Sequence, residues 1–448
     1  MKGFIVAGTN SGCGKTTVTM GLMALLKRKG LSVSPFKTGP DFIDPMFHET
    51  VLGMPSYNLD SYLLAEDSVR HLFQKHTQNK DVAVVEGVMG LFDGLGPEGL
   101  GSTAQLAEML DLPVILVVNC KALYQSVAAI ISGFKTFSSK IKIGGVILNH
   151  VAAGEHYSFL KKYIQEKTGV PCIGHLPFNK QLAVESRHLG LLQAEEVENL
   201  RQKVDSLVDV FEKTVDVELL LNLAGSGNSV SEPQTFSQSL PDLSKLHLGV
   251  AYDKAFRFYY RDNLELLEEC GASLYYFSPL QDSALPEEIN ALYLGGGYPE
   301  VFAQKLSENK TMREDIRSRA ESGLSIFAEC GGLMYLTESI ITSQGEFPMT
   351  GVFNCKTRMT ERLQRFGYAE VMLNGVTTRC HEFHHSVLES PEKPNYQFQY
   401  QLSKPFKERR WECGLSRKNI LAGYAHLHFY SDVEFFNQII NLWKRAII

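Results

Sequence analysis

The sequence predicts two consecutive α/β domains, and three observations lead to this prediction. The chain has 448 residues, more than the ~100–200 residues of a typical domain. Short, apolar, β-rich segments alternate with helical patterns in both halves of the chain, which is typical of parallel strands covered by helices. A segment rich in Ser, Gly and Pro interrupts the alternation near the middle. We therefore predict domains at residues 1–221 and 246–448, joined by a linker at 222–245.

Eight segments predict the strands of these two domains. In the first half they are residues 4–7, 82–85, 113–118 and 143–148, and in the second half 247–252, 273–277, 291–294 and 324–327. Ligand-binding groups in parallel sheets lie on the loops at the carboxyl ends of the strands. The segments directly after these strands are therefore the places to look for functional residues.

Composition excludes several classes of protein. Hydrophobic residues make up 44% and charged residues 21% of the chain, which is typical of a globular protein. The net charge of -6 argues against a surface that binds nucleic acid. Apolar stretches stay well short of the ~20 residues that span a bilayer, and the N-terminus does not resemble a signal peptide. The eight cysteines contain no CxxC pair, so we predict a cytoplasmic protein without membrane or nucleic-acid partners.

A glycine-rich segment follows the first predicted strand. It runs from Gly8 to Thr17 as Gly-Thr-Asn-Ser-Gly-Cys-Gly-Lys-Thr-Thr and leads into a helix predicted to reach Gly30. Backbone N–H groups of such a loop bind phosphate oxygens, Lys15 neutralises phosphate charge, and the Thr16 hydroxyl is suited to hold Mg²⁺. The loop has one residue more than the strict GxxxxGK[ST] pattern. The nucleotide-binding residues predicted here are Gly12, Gly14, Lys15, Thr16 and Thr17.

Acidic residues follow two further strands. Asp41 and Glu86 are candidate Mg²⁺ ligands together with Thr16, because Mg²⁺ prefers carboxylate and phosphate oxygens. Lys37 offers positive charge where a phosphoryl group is transferred. The alternative, that these acidic residues are solvated or form turns, stays open at this point.

Cys330 stands between a predicted strand and a predicted helix, among small residues, in the pattern of a nucleophile elbow. The helix N-terminus is expected to favour its thiolate; an inert buried cysteine is the alternative. His426 and His428 are candidate bases near the C-terminus. Free backbone N–H groups suited to stabilise an oxyanion are predicted in the run from Gly295 to Gly297.

Residues 381–385 satisfy the HExxH pattern of zinc proteases, but the flanking sequence has no helical periodicity. A zinc site of this type needs both histidines on one face of a helix. We therefore predict that this segment is not a zinc site.

Taken together, these motifs resemble the cobyrinate a,c-diamide synthase family. The resemblance covers residues 8–17, 37–45, 86–94, 252–260, 294–300, 328–333, 381–386 and 426–429. It implies a P-loop, dethiobiotin-synthetase-like parallel-sheet domain followed by a class I glutamine amidotransferase-like α/β domain. The implied ligands are ATP, Mg²⁺, L-glutamine and cobyrinate or a related tetrapyrrole acid, and a homodimer is an open alternative to a monomer.

The resemblance also implies roles for individual residues. Cys330 would hydrolyse glutamine through a thioester with His426 as its base, and the ammonia would travel inside the protein to an acyl phosphate made with ATP. Many class I amidotransferases carry Glu two residues after this histidine, where this chain has His428, so a dyad is expected. The remaining implied residues are Asn149 at adenine, Asp44 and Asp93 at the substrate, and Gly296, Gly297 and Gly331 at the oxyanion.

Three alternatives stay open at the level of sequence. The same architecture amidates Ni-sirohydrochlorin in a related family, and the motifs scarcely separate the two substrates. A P-loop switch ATPase with a docking C-terminal domain would not need Cys330. A thiol hydrolase with an ATP-regulated domain would need Cys330 but no acyl acceptor.

Overall fold

The computed structural model describes residues 1–152, 154–179, 182, 200–226 and 240–444. The chain forms two compact units, residues 1–233 and 234–448. Residues 227–239 of the predicted linker lie outside the described residues, and the domain boundaries given above stay predictions. The two units are described separately.

The first unit contains a parallel sheet of seven described strands in the order β3-β2-β4-β1-β5-β6-β7. The strands are β1 (Lys2–Gly8), β2 (Val33–Thr38), β3 (Tyr57–Leu59), β4 (Val82–Glu86), β5 (Val114–Asn119), β6 (Ile143–Asn149) and β7 (Cys172–Leu176). Almost every residue of β1 and all of β4 are buried, as continuous apolar runs predict for strands with both faces covered. The four strands predicted for this half are confirmed.

Helices follow most of these strands. They are α1 (Lys15–Arg28), α2 (Ile43–Leu52), α3 (Glu66–Thr77), α4 (Thr103–Leu110), α5 (Ser126–Phe137), α6 (Glu155–Thr168), α7 (Leu200–Thr214) and α8 (Val217–Leu223). The helix predicted to reach Gly30 ends at Arg28, and Gly30 has the left-handed φ of 83° that terminates helices. Because all seven strands are parallel, the loops after β1, β2, β4 and β6 meet at one edge of the sheet.

The second unit is built on a mixed sheet of nine described strands in the order β10-β8-β11-β13-β22-β21-β20-β17-β18. Its strands are β8 (His247–Ala251), β10 (Ser273–Phe277), β11 (Ala291–Leu294), β13 (Ser325–Glu329), β17 (Arg365–Leu373), β18 (Val376–His384), β20 (Gln397–Ser403), β21 (Arg410–Arg417) and β22 (Ile420–Gly423). The strands from β10 to β22 in this order pair in parallel, and the remaining pairs are antiparallel. The four strands predicted here are confirmed, but the antiparallel half of the sheet was not predicted.

Smaller elements complete the second unit. The strands are β9 (Phe256–Phe258), β12 (Gly296–Gly297), β14 (Ser339–Thr342), β15 (Gly345–Pro348), β16 (Lys356–Met359) and β19 (Ser386–Glu389). The helices are α9 (Arg261–Glu269), α10 (Ala303–Glu308), α11 (Lys310–Glu321), α12 (Gly331–Leu336) and α13 (Val433–Lys444). Within the described parts of both units, the helices are too short or too polar to cross a lipid bilayer.

Candidate active sites

The glycine-rich loop of the first unit connects β1 to α1 and contains backbone conformations that favour glycine. Gly12 and Gly14 have φ values of 77° and 97°, in the left-handed region. Lys15 begins α1, and its side chain lies against Gly8. Its Nζ donates to the backbone oxygen of Met89 at 2.5 Å, and burial lowers its pKa. The ammonium group of Lys15 is therefore held between the glycine loop and the segment after β4.

Asn149, the last residue of β6, supports the same loop. Its Nδ2 donates to the backbone oxygen of Cys13 at 2.9 Å. A β-carbon on Gly14 would lie 2.2 Å from that nitrogen, so only glycine leaves room for the contact. This places the Asn149 amide beneath the phosphate loop; its predicted contact with adenine stays a prediction.

Glu86, at the end of β4, is fully buried and carries two side-chain hydrogen bonds. Its Oε1 accepts from the Thr16 hydroxyl at 2.6 Å, and its Oε2 lies 2.7 Å from His48 Nε2. The other ring nitrogen of His48 lies 2.9 Å from the Ser56 hydroxyl. Burial alone would raise the pKa of Glu86, but the charge of Lys37 and the hydrogen bonds from His48 and Thr16 hold it well below its usual range. Glu86 is therefore a charged, oriented carboxylate beside the phosphate loop.

Lys37, in β2, is the cation at the centre of three carboxylates. It forms an ion pair with Asp44, and its Nζ lies 3.4 Å from Glu86 Oε1 and 3.8 Å from Asp41 Oδ2. Burial alone would lower the pKa of Lys37, but these carboxylates raise it. The other Asp41 oxygen accepts from the backbone N–H of Ile43 at 2.8 Å. The residues predicted to take part in phosphoryl transfer and in metal and substrate binding thus lie together: Lys37, Asp41, Asp44 and Glu86.

Asp93 and Thr17 lie at the margins of this site. Asp93 is exposed, and its Oδ2 accepts from the backbone N–H of Gly90 at 2.9 Å. The same turn is tied to the phosphate loop because Leu91 N donates to Gly8 O at 2.8 Å. Thr17 is half-buried in the first turn of α1. The substrate role of Asp93 and the nucleotide role of Thr17 stay predictions.

Cys330 occupies a strained turn in the second unit. It joins β13 to α12 with φ 45° and ψ −101°, which non-glycine residues rarely adopt. Its backbone N–H donates to Gly423 O at 2.7 Å, and its Sγ lies 3.9 Å from Phe383 O. The strand, sharp turn and helix predicted around this cysteine are confirmed.

The burial of the Cys330 thiol disfavours its charged form. Burial raises its pKa far above the usual range, Glu300 raises it further, and the backbone N–H of Gly331 offsets only part of this. The helix N-terminus favours the thiolate through the N–H of Gly331, as expected, but burial acts more strongly in the opposite direction. A base has to remove the proton before the sulfur attacks.

His426 follows β22 and lies beside Gly296, and its role as that base stays a prediction. A β-carbon on Gly296 would lie 2.5 Å from His426 Cε1, so the ring rests on this glycine. Its backbone exchanges two hydrogen bonds with His381, at 2.9 and 3.3 Å. Burial lowers the pKa of His426 well below its usual value, and His381 and His384 lower it further. These effects favour the neutral imidazole, which has a free lone pair but is a weaker base than an exposed histidine.

Three glycines predicted to stabilise an oxyanion converge beside Cys330. A β-carbon on Gly331 would lie 3.0 Å from Gly297 N, and one on Gly297 would lie 1.9 Å from Ala255 O. The backbone N–H of Gly331 hydrogen-bonds the Cys330 sulfur. Since Gly296 adjoins the His426 ring, the nucleophile and its candidate base flank the same glycine segment; the oxyanion role stays a prediction.

His428 has a different environment from His426. Its Nε2 lies 3.9 Å from Asp262 Oδ2, and its ring packs on Tyr260 with centroids 4.7 Å apart. Burial lowers its pKa to about 4, although Asp262 acts in the opposite direction. His428 therefore packs against α9 and its neighbours. In the sequence it stands two residues after His426, where many class I amidotransferases carry the triad glutamate.

The HExxH segment is the end of β18, as its lack of helical periodicity predicts. The two histidines of the motif are His381, whose backbone pairs with that of His426, and His385, directly after the strand. Residues four apart on a strand are separated by about 13 Å, whereas a helical turn brings them within about 6 Å of each other. The extended backbone therefore does not bring His381 and His385 together as a helical zinc motif does.

Family comparisons assign a class to each unit. Residues 4–191 match the CobQ/CobB/MinD/ParA nucleotide binding domain. Residues 247–433 match the CobB/CobQ-like glutamine amidotransferase domain. The first unit is therefore a nucleotide-binding domain and the second a glutamine amidotransferase domain, as the sequence predicts.

Full-length relatives decide the family. A protein of Listeria innocua named cobyrinate a,c-diamide synthase is 42% identical, over 99% of this chain and 100% of its own length. Proteins of the same name are 42% identical in Caldanaerobacter subterraneus, over 96% of both chains, and 41% identical in Clostridium tetani, over 98% of this chain and 100% of that one. The chain belongs to the cobyrinate a,c-diamide synthase family. The resemblance that the motifs predict is confirmed.

Sequence reasoning missed two buried polar residues in this family member. His48, which holds Glu86, stands four residues after Asp44 on α2, and that spacing places both on one helical face and could have revealed it. Glu329, directly before Cys330, is 2% exposed and accepts two hydrogen bonds. Its partners come from distant segments, so no local pattern pointed to it.

Proposed function

We propose that this chain uses ATP and L-glutamine to convert the a and c carboxylates of cobyrinate into amides, a step of cobalamin biosynthesis. The observation that carries the proposal is the division of chemistry between the units. One unit holds a lysine and a carboxylate cluster at a phosphate loop, as phosphoryl transfer needs. The other holds a thiol and a neutral imidazole beside glycines, as acyl transfer from glutamine needs.

In the second unit, His426 takes the proton of Cys330 as the sulfur attacks the carboxamide carbon of glutamine. The N–H groups of Gly297 and Gly331 stabilise the oxyanion of the tetrahedral intermediate. His426 then returns the proton to the leaving nitrogen, which departs as ammonia and leaves a thioester. Water hydrolyses the thioester to glutamate and restores the thiol.

In the first unit, a substrate carboxylate oxygen attacks the γ-phosphorus of ATP, and ADP leaves. Lys15 and Lys37 neutralise the charge that moves between the phosphates. Ammonia then attacks the acyl carbon, phosphate departs, and an amide remains. Asp44 and Asp93 are our candidates for the side of the site that faces the tetrapyrrole acid.

The residues at the phosphate loop fit Mg²⁺. Thr16, Asp41 and Glu86 offer a hydroxyl and two carboxylates, the hard oxygen ligands that this ion prefers. Glu86 stays ionised although it is fully buried, which suits a cation ligand better than an apolar core. When bound, Mg²⁺ would neutralise phosphate charge; the chain's own part is to orient these oxygens.

His48 provides a test of this ligand set. Replacing His48 with Ala removes the partner of Glu86 Oε2, and loss of such outer partners typically weakens metal binding by about 10–100-fold. We expect the Mg²⁺ concentration for half-maximal ATP-dependent amidation to rise by about tenfold or more. His156 belongs to α6, where its ring stacks on that of Tyr124, and it gives a histidine control away from the phosphate loop. Equal Mg²⁺ dependence in His48→Ala and His156→Ala would contradict the assignment of Glu86 as a Mg²⁺ ligand.

A substrate assay tests the proposed function. The purified chain, with ATP, Mg²⁺ and glutamine, is expected to convert cobyrinate to its diamide and to release one ADP for each amide formed. Ni-sirohydrochlorin serves as the competing acid. Turnover of the nickel compound alone would overturn the choice of substrate. ATP hydrolysis without any amide would instead favour the switch ATPase, and glutamine hydrolysis that ignores ATP and acid would favour the thiol hydrolase.

The setting that we propose is the cytoplasm. All eight cysteines are buried free thiols, in agreement with a reducing compartment. The homodimer stays a prediction.

A further inference from the structure

Glu329 is a buried carboxyl group that the proposed reaction does not use, and burial raises its pKa to about 8. It is the last residue of β13 and directly precedes Cys330. Burying a carboxylate is unfavourable unless hydrogen bonds compensate. The hydrogen-bond partners of its two oxygens therefore indicate its role.

The two carboxylate oxygens of Glu329 join two parts of the glutaminase site. Oε1 accepts from the backbone N–H of Leu427 at 2.8 Å, and Leu427 is the residue directly after His426. Oε2 accepts from the Tyr293 hydroxyl at 2.7 Å, on the strand that leads into the glycine segment. The side chain of the residue before Cys330 thus bonds to the backbone of the residue after His426.

Asn263 holds the same histidine segment from another element. Its Nδ2 donates to Leu427 O at 2.7 Å, and its Oδ1 accepts from Phe429 N at 2.8 Å. Asn263 belongs to α9 and is fully buried. Both backbone groups of Leu427 therefore bond to buried side chains, in a segment that is neither helix nor regular strand.

We propose that Glu329 is a positioning residue of the glutaminase site, which fixes the His426 imidazole relative to Cys330 through the main chain at Leu427. The inference rests on the proposed glutamine hydrolysis. In a Cys–His–Glu triad the carboxylate orients the imidazole directly. Here His428 occupies that carboxylate's place in the sequence, and Glu329, directly before the nucleophile, supplies the orientation through the backbone of Leu427.

Three substitutions separate positioning from general stability. Glu329→Leu keeps the approximate volume but removes both acceptors. Glu329→Gln keeps the length, since its amide oxygen accepts from Leu427 N and its NH₂ group donates to the Tyr293 hydroxyl. Glu329→Asp keeps the carboxyl group but is one methylene too short to reach both partners.

Ser325 provides a matched control on the same strand. It is buried and lies on the same face of β13 as Glu329, because residues four apart on a strand share a face. Its hydroxyl donates to Leu442 O at 3.0 Å, outside the histidine segment. Ser325→Ala therefore removes a buried hydrogen bond without touching the base, and its glutaminase rate should equal that of the wild type.

The readouts are glutamate release without acceptor acid, and amidation driven by free ammonia. We expect Glu329→Leu to lower kcat for glutamate release by about 10²-fold, as small displacements of reacting groups do. The KM for glutamine and the ammonia-driven rate should stay near wild type. Glu329→Gln should retain kcat within about threefold, because its amide group keeps both hydrogen bonds at the same reach.

Wild-type kcat in Glu329→Leu, or an equal loss in Ser325→Ala, would overturn the inference. A rise in KM without a change in kcat would overturn it as well. If Glu329→Leu does not fold, Glu329→Asp decides: lowered kcat with intact ammonia-driven amidation supports positioning, and unchanged kcat contradicts it. A wild-type protein that releases no glutamate would instead overturn the proposed function.

Discussion

Replacing Cys330 with Ala is expected to abolish glutamine-dependent amidation and to leave ammonia-dependent amidation intact. The alanine cannot form the thioester, and loss of a covalent nucleophile lowers the rate of such hydrolases by about 10⁶-fold. Free ammonia bypasses this step, because the acyl phosphate forms in the other unit. The measurement is amide formation with either glutamine or an ammonium salt as the nitrogen source.

Cys355 supplies the matched control for this experiment. It is a second buried cysteine of the same unit, and burial raises its pKa to about 12, but its backbone is not in the positive-φ conformation of Cys330. Cys355→Ala should keep both activities. Glutamine-dependent amidation that survives in Cys330→Ala, or ammonia-dependent amidation that disappears while the protein stays folded, would contradict the proposed division of labour.

The parts of both sites that follow strands were accessible to sequence reasoning. A continuous apolar run predicts a buried parallel strand, and its carboxyl end predicts where a ligand group emerges. Lys15, Glu86 and Cys330 all lie within a few residues of such an end, so their grouping into two sites could be anticipated. Gly14 was predictable as well, because it belongs to the glycine-rich loop after β1 and the turn before α1 needs its left-handed φ.

Other properties of the sites depend on contacts that a local pattern does not contain. The pKa of Cys330 depends mainly on burial, which is set by the whole unit and outweighs the hydrogen bond at the helix N-terminus. The role inferred for Glu329 depends on Leu427, nearly one hundred residues away in the chain. The antiparallel strands from β17 to β21 were missed because they lack the long apolar runs that guided the prediction. In β17 and β20, buried and more exposed residues alternate over part of the strand.

Replacing Lys15 with Ala is expected to abolish amidation from both nitrogen sources while glutamate release continues. Lys15 is the cation at the first turn after the phosphate loop, and phosphoryl transfer relies on such charges in place to stabilise the transition state. Removing it should lower ATP-dependent amidation by about 10³-fold. The measurement pairs ADP release and amide formation with glutamate release in the absence of ATP and acid.

Lys27 supplies the control for the loss of amidation expected in Lys15→Ala. It lies on the same helix α1 and also donates its Nζ to a backbone oxygen, that of Leu52 at 2.9 Å. Lys27→Ala therefore removes a lysine and a hydrogen bond from α1 without removing charge from the phosphate loop, and it should amidate at the wild-type rate. Equal amidation by Lys15→Ala and Lys27→Ala would exclude the glycine loop as the site of phosphoryl transfer. Loss in Lys15→Ala alone would place the acyl phosphate in the first unit, because Cys330 and its base would still release ammonia.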